Sequence, residues 1–189
     1  CISGTDGSGA VFFTGCQLKC VFCQNYESAN NHKGTEITPS ELCDIFFSLR
    51  EEGAHNINLV TADHFIPYVA EAICESKKKG IDIPFIYNCG GYVKKESLKM
   101  LEGLVDVYLP DFKYFSSFIA KKYSNAPDYP EVAKEAIAEM VRQAGECSFD
   151  EKGIIKIQKV LKIPGDFLLK NRPKRITFQQ NLKTISLLA

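Results

Sequence analysis

The sequence predicts an α/β fold organised around a parallel β-sheet. Short apolar, β-favouring runs alternate with amphipathic helical segments between residues 11 and 144, and the connections between them are short. Such alternation implies parallel strands joined by right-handed helical crossovers. A barrel and an open doubly wound sheet both satisfy this order of elements. In either fold, the loops after the carboxyl ends of the strands form the site.

The predicted strands are apolar, β-favouring runs bounded by turn residues. They are residues 11–14, 56–60, 84–88 and 105–109. Residues 154–163 alternate apolar and basic side chains, which is consistent with a fifth strand.

The predicted helices carry apolar residues at helical spacing. They are residues 39–52, 67–79, 94–101 and 130–144. The first has the clearest start, because Thr38 can cap it, Pro39 suits the first helical position and Glu41 completes a capping box. The apolar side predicted for the last helix comprises Val132, Ala136, Ile137, Met140 and Val141.

Composition excludes several functional classes. The 189 residues carry 23 basic and 23 acidic side chains, so no long-range field favours nucleic acid or an anionic membrane. No apolar run is long enough to span a bilayer and no signal peptide is visible, so we expect a cytoplasmic protein without a nucleic-acid or membrane partner. The 8 cysteines are unevenly spread, which favours a metal or cluster site over a disulfide framework.

Cys16, Cys20 and Cys23 lie on one loop directly after the first predicted strand. Their spacing lets a single loop wrap a compact centre of a soft metal. Structural zinc sites use four ligands and four-iron clusters usually use four cysteines, so a cluster held by three cysteines leaves one iron open. A zinc site completed by a histidine or another cysteine is the alternative. The candidate cysteines are Cys1, Cys43, Cys89 and Cys147.

This cysteine motif, with Phe22 just before its last member, resembles the signature of radical S-adenosylmethionine (radical SAM) enzymes. Further segments resemble an uncharacterised branch similar to pyruvate formate-lyase activating enzyme. They are residues 7–16, 23–26, 53–61, 106–114 and 123–131. The resemblance implies a partial (β/α)6 barrel and a [4Fe–4S] cluster on the catalytic cysteines Cys16, Cys20 and Cys23, with Phe22 beside the cofactors. It also implies reductive cleavage of S-adenosylmethionine to a 5′-deoxyadenosyl radical, which abstracts hydrogen from a substrate.

The same resemblance implies which strand ends contact S-adenosylmethionine. Thr61 and Asp63 stand where the family usually has a Gly-Gly-Glu motif that meets the methionine amino group. Asn88 opens the polar, glycine-containing turn after the third strand, near the carboxylate of the cofactor. After the fourth strand, Lys113 is expected to pair with that carboxylate, and Asp111 to bind a cation or orient the ribose.

The resemblance covers residues 1–153, which are predicted to be an incomplete radical SAM core truncated at both ends. Residues 154–189 are predicted to be a divergent tail, for which a frameshift is one hypothesis. The substrate is unknown; a glycine on a partner protein is one candidate, and flavodoxin or ferredoxin is the expected reductant. The alternatives are a non-catalytic iron–sulfur or zinc-binding module and an inactive fragment of the enzyme.

Several other side chains have structural interpretations. Cys43 and Cys74 are predicted to be small buried residues on helices, and Asp106 to make a structural hydrogen bond. Cys89 and His64 lie at strand ends beside the predicted site, so both a packing role and a chemical role stay open for each.

Overall fold

One parallel sheet organises the part of the chain that the computed structural model describes, residues 7–31, 34–145 and 160–161. Its strands are β1 (Gly9–Phe12), β2 (Ile57–Val60), β3 (Phe85–Cys89), β4 (Val107–Pro110) and β5 (Val160–Leu161). They lie side by side in the order in which they follow along the chain. A doubly wound sheet reverses its strand order at a switch point, whereas this order runs in one direction, as in a barrel wall. The predicted α/β fold with a partial barrel is therefore confirmed.

The connections between the strands carry helices. These are α1 (Tyr26–Asn31), α2 (Pro39–Glu51), α3 (Ile66–Lys78), α4 (Lys95–Leu98), α5 (Ser117–Ser124) and α6 (Tyr129–Ala144), with a 3-10 turn, Lys99–Leu101, after α4. The predicted capping box of α2 is present, because the Glu41 N–H donates to Thr38 Oγ1 at 3.2 Å and the Thr38 N–H donates to Glu41 Oε2 at 2.7 Å. The sequence pattern did not predict α1 and α5.

The main core lies between the sheet and the helices that cover it. Side chains of β1 to β4 pack there against α2, α3, α4 and α6. The Phe46 ring of α2, for example, meets the Phe85 ring of β3 edge-on, with the ring centroids 5.1 Å apart. Burying a large aromatic side chain contributes roughly 1.5–3 kcal/mol, so contacts of this kind hold the helices on the sheet.

The buried face of α6 differs from the predicted one. Val141 was expected on the apolar side but is 45% exposed, whereas Glu139 and Gln143 are buried. Gln143 donates from Nε2 to the Leu98 carbonyl at 3.0 Å and accepts a hydrogen bond from the Tyr108 phenol. The polar groups of β4 and α4 thus select polar partners on α6, which an apolar pattern alone does not reveal.

Two details of the strands bear on the predictions. The Asp106 carboxylate accepts a hydrogen bond from the Phe85 N–H at 2.8 Å, which confirms its structural role. The two-residue β5 falls within the predicted fifth strand and pairs with β4. The rest of that segment lies outside the described residues, so the division at residue 153 stays a prediction.

In the described ranges, no helix combines the length and apolarity needed to cross a bilayer.

Candidate functional site

The predicted site residues lie in the loops that follow the carboxyl ends of β1 to β4. These strands are parallel neighbours, so the four loops share one edge of the sheet. Hydrogen bonds join the loops. His64 Nε2 lies 2.6 Å from the Thr14 carbonyl oxygen, which links the second loop to the first. The Tyr87 phenol of β3 donates to the Asp63 carboxylate. The structure therefore brings the predicted strand-end residues to one region.

The cysteine loop after β1 is held on two sides. The Gly15 N–H donates to the Ser28 carbonyl of α1 at 3.0 Å. On the other side, the Lys19 and Val21 N–H groups donate to the Ser124 and Tyr123 carbonyls at the end of α5, both at 3.0 Å. The two helices that the sequence pattern missed are therefore the ones that position the cysteines.

Cys16, Cys20 and Cys23 belong to one small apolar cluster, separate from the main core. Cys20 is 8% exposed and the other two are half-buried. The buried side chains around them are Leu18, Tyr114, Ala120, Ala126, Tyr129 and Ala133. Burial raises the pKa of the Cys16 thiol to about 11, and negative charge on Cys20 or Cys23 raises it further. The three thiols are thus close enough to influence one another.

Within the described ranges, no group of three or more His, Cys, Asp or Glu side chains converges tightly enough to hold a single metal ion. Each cysteine ligand of a four-iron cluster binds its own iron rather than a shared ion. The donor set of Cys16, Cys20 and Cys23 is soft and partly shielded from water, which suits iron–sulfur chemistry.

Asp63 is a half-buried residue close enough to the cysteine loop for its charge to act on Cys16. Desolvation raises its pKa from 3.8 to about 6, although the Tyr87 hydrogen bond and the Lys113 charge both lower it. The charge of Asp63 in turn raises the pKa values of Cys16 and Cys89. An ionised carboxylate in this place is poorly solvated, so a cation bound next to it would be favoured.

Lys113 supplies a positive charge to the same region. Its Nζ lies 2.6 Å from Asp111 Oδ2, and its side chain is 20% exposed against 50% for Asp111. Desolvation lowers the pKa of Lys113, but the ion pair with Asp111 more than offsets this, so the pKa is raised and the ammonium stays charged. Negative charge on Cys20 also raises the pKa of Lys113, which indicates that the ammonium lies near the cysteine loop.

Tyr129 holds the third and fourth loops together. Its phenol oxygen accepts a hydrogen bond from the Lys113 N–H at 2.8 Å, and lies 2.8 Å from the Gly90 carbonyl and 2.7 Å from the Asp111 carbonyl. A phenol has one proton, so the two carbonyls share it. This fully buried residue begins α6 and fixes the backbone on both sides of the Lys113 ion pair.

The turn after β3 is packed so closely that a side chain at either of its two glycines would press on neighbouring groups. A Cβ at Gly90 would lie 3.0 Å from Leu18 Cδ1 of the cysteine loop and 3.5 Å from Lys113 Cε. Gly91 has φ +75, and a Cβ there would lie 2.8 Å from the Asp111 carbonyl oxygen. The two glycines therefore let the cysteine loop and the fourth loop approach the end of β3.

Thr61, Asn88 and Phe22 complete the set of predicted contacts. Thr61 has φ 62, a left-handed conformation that is unusual for a β-branched residue. Its N–H donates to the Asn88 carbonyl at 3.0 Å, so the second and third loops stay paired beyond the strands. The Phe22 ring is 54% exposed and its centroid lies 6.3 Å from that of Tyr114.

The remaining cysteines occupy different surroundings. Cys43 is fully buried on α2, Cys74 is half-buried on α3, and Cys89 is buried at the end of β3. Burial raises the pKa of Cys89 well above its usual value, as expected for a packed thiol. Cys1 and Cys147 lie outside the described residues.

Sequence reasoning missed Ser124, Tyr114 and Tyr129 as parts of the site. Ser124 contacts both Cys20 and Tyr114, and Tyr129 joins two loops. All three lie within or just beside segments that carry the resemblance, which is the signal that would have found them.

Fold and site together define a class of protein: an α/β part-barrel with a loop of three cysteines at the carboxyl edge of its sheet. The chain belongs to the radical SAM superfamily, whose family model matches residues 10–150. Members typically bind a [4Fe–4S] cluster and S-adenosylmethionine, so membership points to an enzyme.

A protein of Methanocaldococcus jannaschii, itself described as uncharacterised, is similar to this chain. The two are 30% identical over 134 residues, which are 67% of this chain and 39% of that protein. The chain thus spans well under half the length of this relative.

Proposed function

We propose that this chain is a radical SAM enzyme in which Cys16, Cys20 and Cys23 hold a [4Fe–4S] cluster. The observation that carries the proposal is the packing of these three thiols in one shielded cluster at the carboxyl edge of the sheet, next to Lys113. When bound, the cluster supplies one electron to S-adenosylmethionine, which then yields methionine and a 5′-deoxyadenosyl radical. The residues of this chain hold, orient and shield the reactants.

Charged groups of both signs near the thiols favour a ligand with both an amino group and a carboxylate. Asp63 offers a poorly solvated carboxylate to the amino group, and the Lys113 ammonium can share its donors between Asp111 and the ligand carboxylate. Thr61 directly follows β2, and Asn88 lies near the end of β3. The proposed contacts of these residues with S-adenosylmethionine rest on the resemblance of the strand ends.

The narrower proposal is an activity similar to that of pyruvate formate-lyase activating enzyme. It rests on the resemblance of residues 7–16, 106–114 and 128–131. The hydrogen donor would be a glycine on a partner protein, and the electron would come from flavodoxin or ferredoxin. A cytoplasmic location belongs to the same proposal.

The test is anaerobic reconstitution of the full chain with iron and sulfide, followed by dithionite and S-adenosylmethionine, with 5′-deoxyadenosine measured by mass spectrometry. Cys20→Ala should lose both the four-iron absorption spectrum and the product. Cys43→Ala is the matched control, because it removes a buried thiol of α2 and should retain both.

Three outcomes count against parts of the proposal. Zinc uptake in place of iron would reject the cluster and favour a zinc-binding module. A four-iron spectrum without 5′-deoxyadenosine would favour a non-catalytic iron–sulfur module. Equal loss of product in Cys20→Ala and Cys43→Ala would show that folding, rather than ligation, had been disturbed.

A further inference from the structure

The side chain of Ser124 touches a predicted cluster ligand from a distant part of the chain. Ser124 is the last residue of α5 and is 1% exposed. Its hydroxyl donates a hydrogen bond to Cys20 Sγ at 2.9 Å, across 104 positions of sequence. A buried hydroxyl beside a sulfur ligand is not needed for apolar packing, so its role requires a separate explanation.

A second hydroxyl, that of Tyr114, contacts Ser124. Its phenol oxygen lies 2.6 Å from Ser124 Oγ, and it is 7% exposed. A serine hydroxyl has only one proton, and Ser124 gives its proton to the sulfur. Tyr114 must therefore be the donor to Ser124, and the two hydroxyls form a chain that ends at Cys20 Sγ. Donors in such a chain polarise one another and strengthen the last bond.

The backbone holds this arrangement independently of the hydroxyls. The Lys19 N–H donates to the Ser124 carbonyl at 3.0 Å, and the Val21 N–H donates to the Tyr123 carbonyl at the same distance. Asn125 ends α5 in the left-handed conformation, with φ 53. Removal of the Ser124 hydroxyl should therefore leave the cysteine loop in place.

We propose that Ser124, oriented by Tyr114, is a positioning residue that raises the reduction potential of the cluster at Cys20; this inference rests on the proposed function. A hydrogen bond donated to a cysteine sulfur draws electron density from it and stabilises the more negative, reduced state of a cluster. The two hydroxyls would thus make the cluster easier to reduce. This role concerns the electron that the enzyme receives rather than the binding of its substrate.

The experiment compares the midpoint potentials of the reconstituted full chain in redox titrations followed by electron paramagnetic resonance. Ser124→Ala should shift the midpoint to a more negative value, and Tyr114→Phe should shift it in the same direction by less. Because the two hydroxyls act in series, the double variant should shift it by less than the sum of the two single shifts. Ser76→Ala is the matched control, since Ser76 is a fully buried serine of α3 whose hydroxyl donates to the Ala72 carbonyl at 2.7 Å.

Iron and sulfide content is measured first, which separates failure of the proposed function from failure of this inference. Wild-type protein without a four-iron cluster would reject the proposed function. Loaded Ser124→Ala and Tyr114→Phe proteins with the wild-type midpoint would overturn the inference alone. If Ser124→Ala does not load, Tyr114→Phe decides the matter, because it keeps the serine hydroxyl beside the sulfur. A shift equal to that of Ser76→Ala would also count against it.

Discussion

Replacing Asp63 with asparagine removes a carboxylate that the fold desolvates. Asparagine has a similar shape, and its amide oxygen can still accept the hydrogen bond from the Tyr87 phenol. The variant therefore isolates the ionisation of one group beside the thiols. We expect the free energy of unfolding of the metal-free protein to respond to pH differently in the two proteins.

The size of the effect follows from the pKa shift. The folded state raises the pKa of Asp63 from 3.8 to about 6, principally by desolvation. One pKa unit corresponds to about 1.36 kcal/mol, so ionised Asp63 costs the folded state about 3 kcal/mol. The folded state holds the proton on the Asp63 carboxyl more tightly than the unfolded state does. The stabilisation that this proton gives the folded state is therefore complete below pH 3.8 and is lost as pH rises through about 6. About 1.4 kcal/mol of the loss falls between about pH 5 and about pH 7.5.

The assay is urea unfolding of both metal-free proteins at these two pH values. Relative to Asp63→Asn, the wild type should lose about 1.4 kcal/mol on going to the higher pH, and other titrating groups largely cancel in the comparison. Repeating the measurement in a His64→Gln background removes the neighbouring imidazole from the comparison. A difference in unfolding free energy that is the same at both pH values would refute the reasoning.

Three further substitutions test the geometry of the site by urea unfolding. Gly91→Ala should destabilise the protein by at least about 1 kcal/mol more than Gly103→Ala. Both glycines have similar positive φ values, +75 and +77, but only at Gly91 would a Cβ meet other atoms within 4 Å, so equal effects would contradict the proposed close approach. Tyr129→Phe should cost about 1–3 kcal/mol because it leaves part-buried backbone groups without this partner, and a cost below about 0.5 kcal/mol would show that water replaces the phenol. Thr61→Gly should stabilise the metal-free protein by about 1 kcal/mol, because it relieves the left-handed strain; a loss of stability would show that other contacts of Thr61 outweigh it.

Elements with a strong local signal were predictable from the sequence. The helix α2 begins where Thr38 and Glu41 form their reciprocal cap, and its end differs from the prediction by one residue. The cysteine motif also stands out, because its three thiols follow one another on one loop. In both cases the determining interactions lie within a few residues of one another.

The missed features depend on contacts between distant segments or on weak local patterns. The helix α5 buries only Ala120 and Ser124 and exposes Phe118 and Ile119, so it shows no apolar stripe at helical spacing. The choice between a barrel wall and a doubly wound sheet was open, because both have the same order of elements along the chain. The left-handed Thr61 contradicts the local preference of its residue type, so tertiary structure must impose it.

The support of the cysteine loop by the end of α5 also sets an order of events during synthesis. The sulfur of Cys20 and the hydroxyl that contacts it are separated by 104 positions. At about 5–20 residues per second, a ribosome needs about 5–20 s to make the intervening chain. During that interval the loop has emerged without its backbone partners on α5, and its thiols are open to oxidants. If these thiols hold a cluster as proposed, its assembly should therefore follow the docking of α5, and until then the three cysteines are open to oxidation.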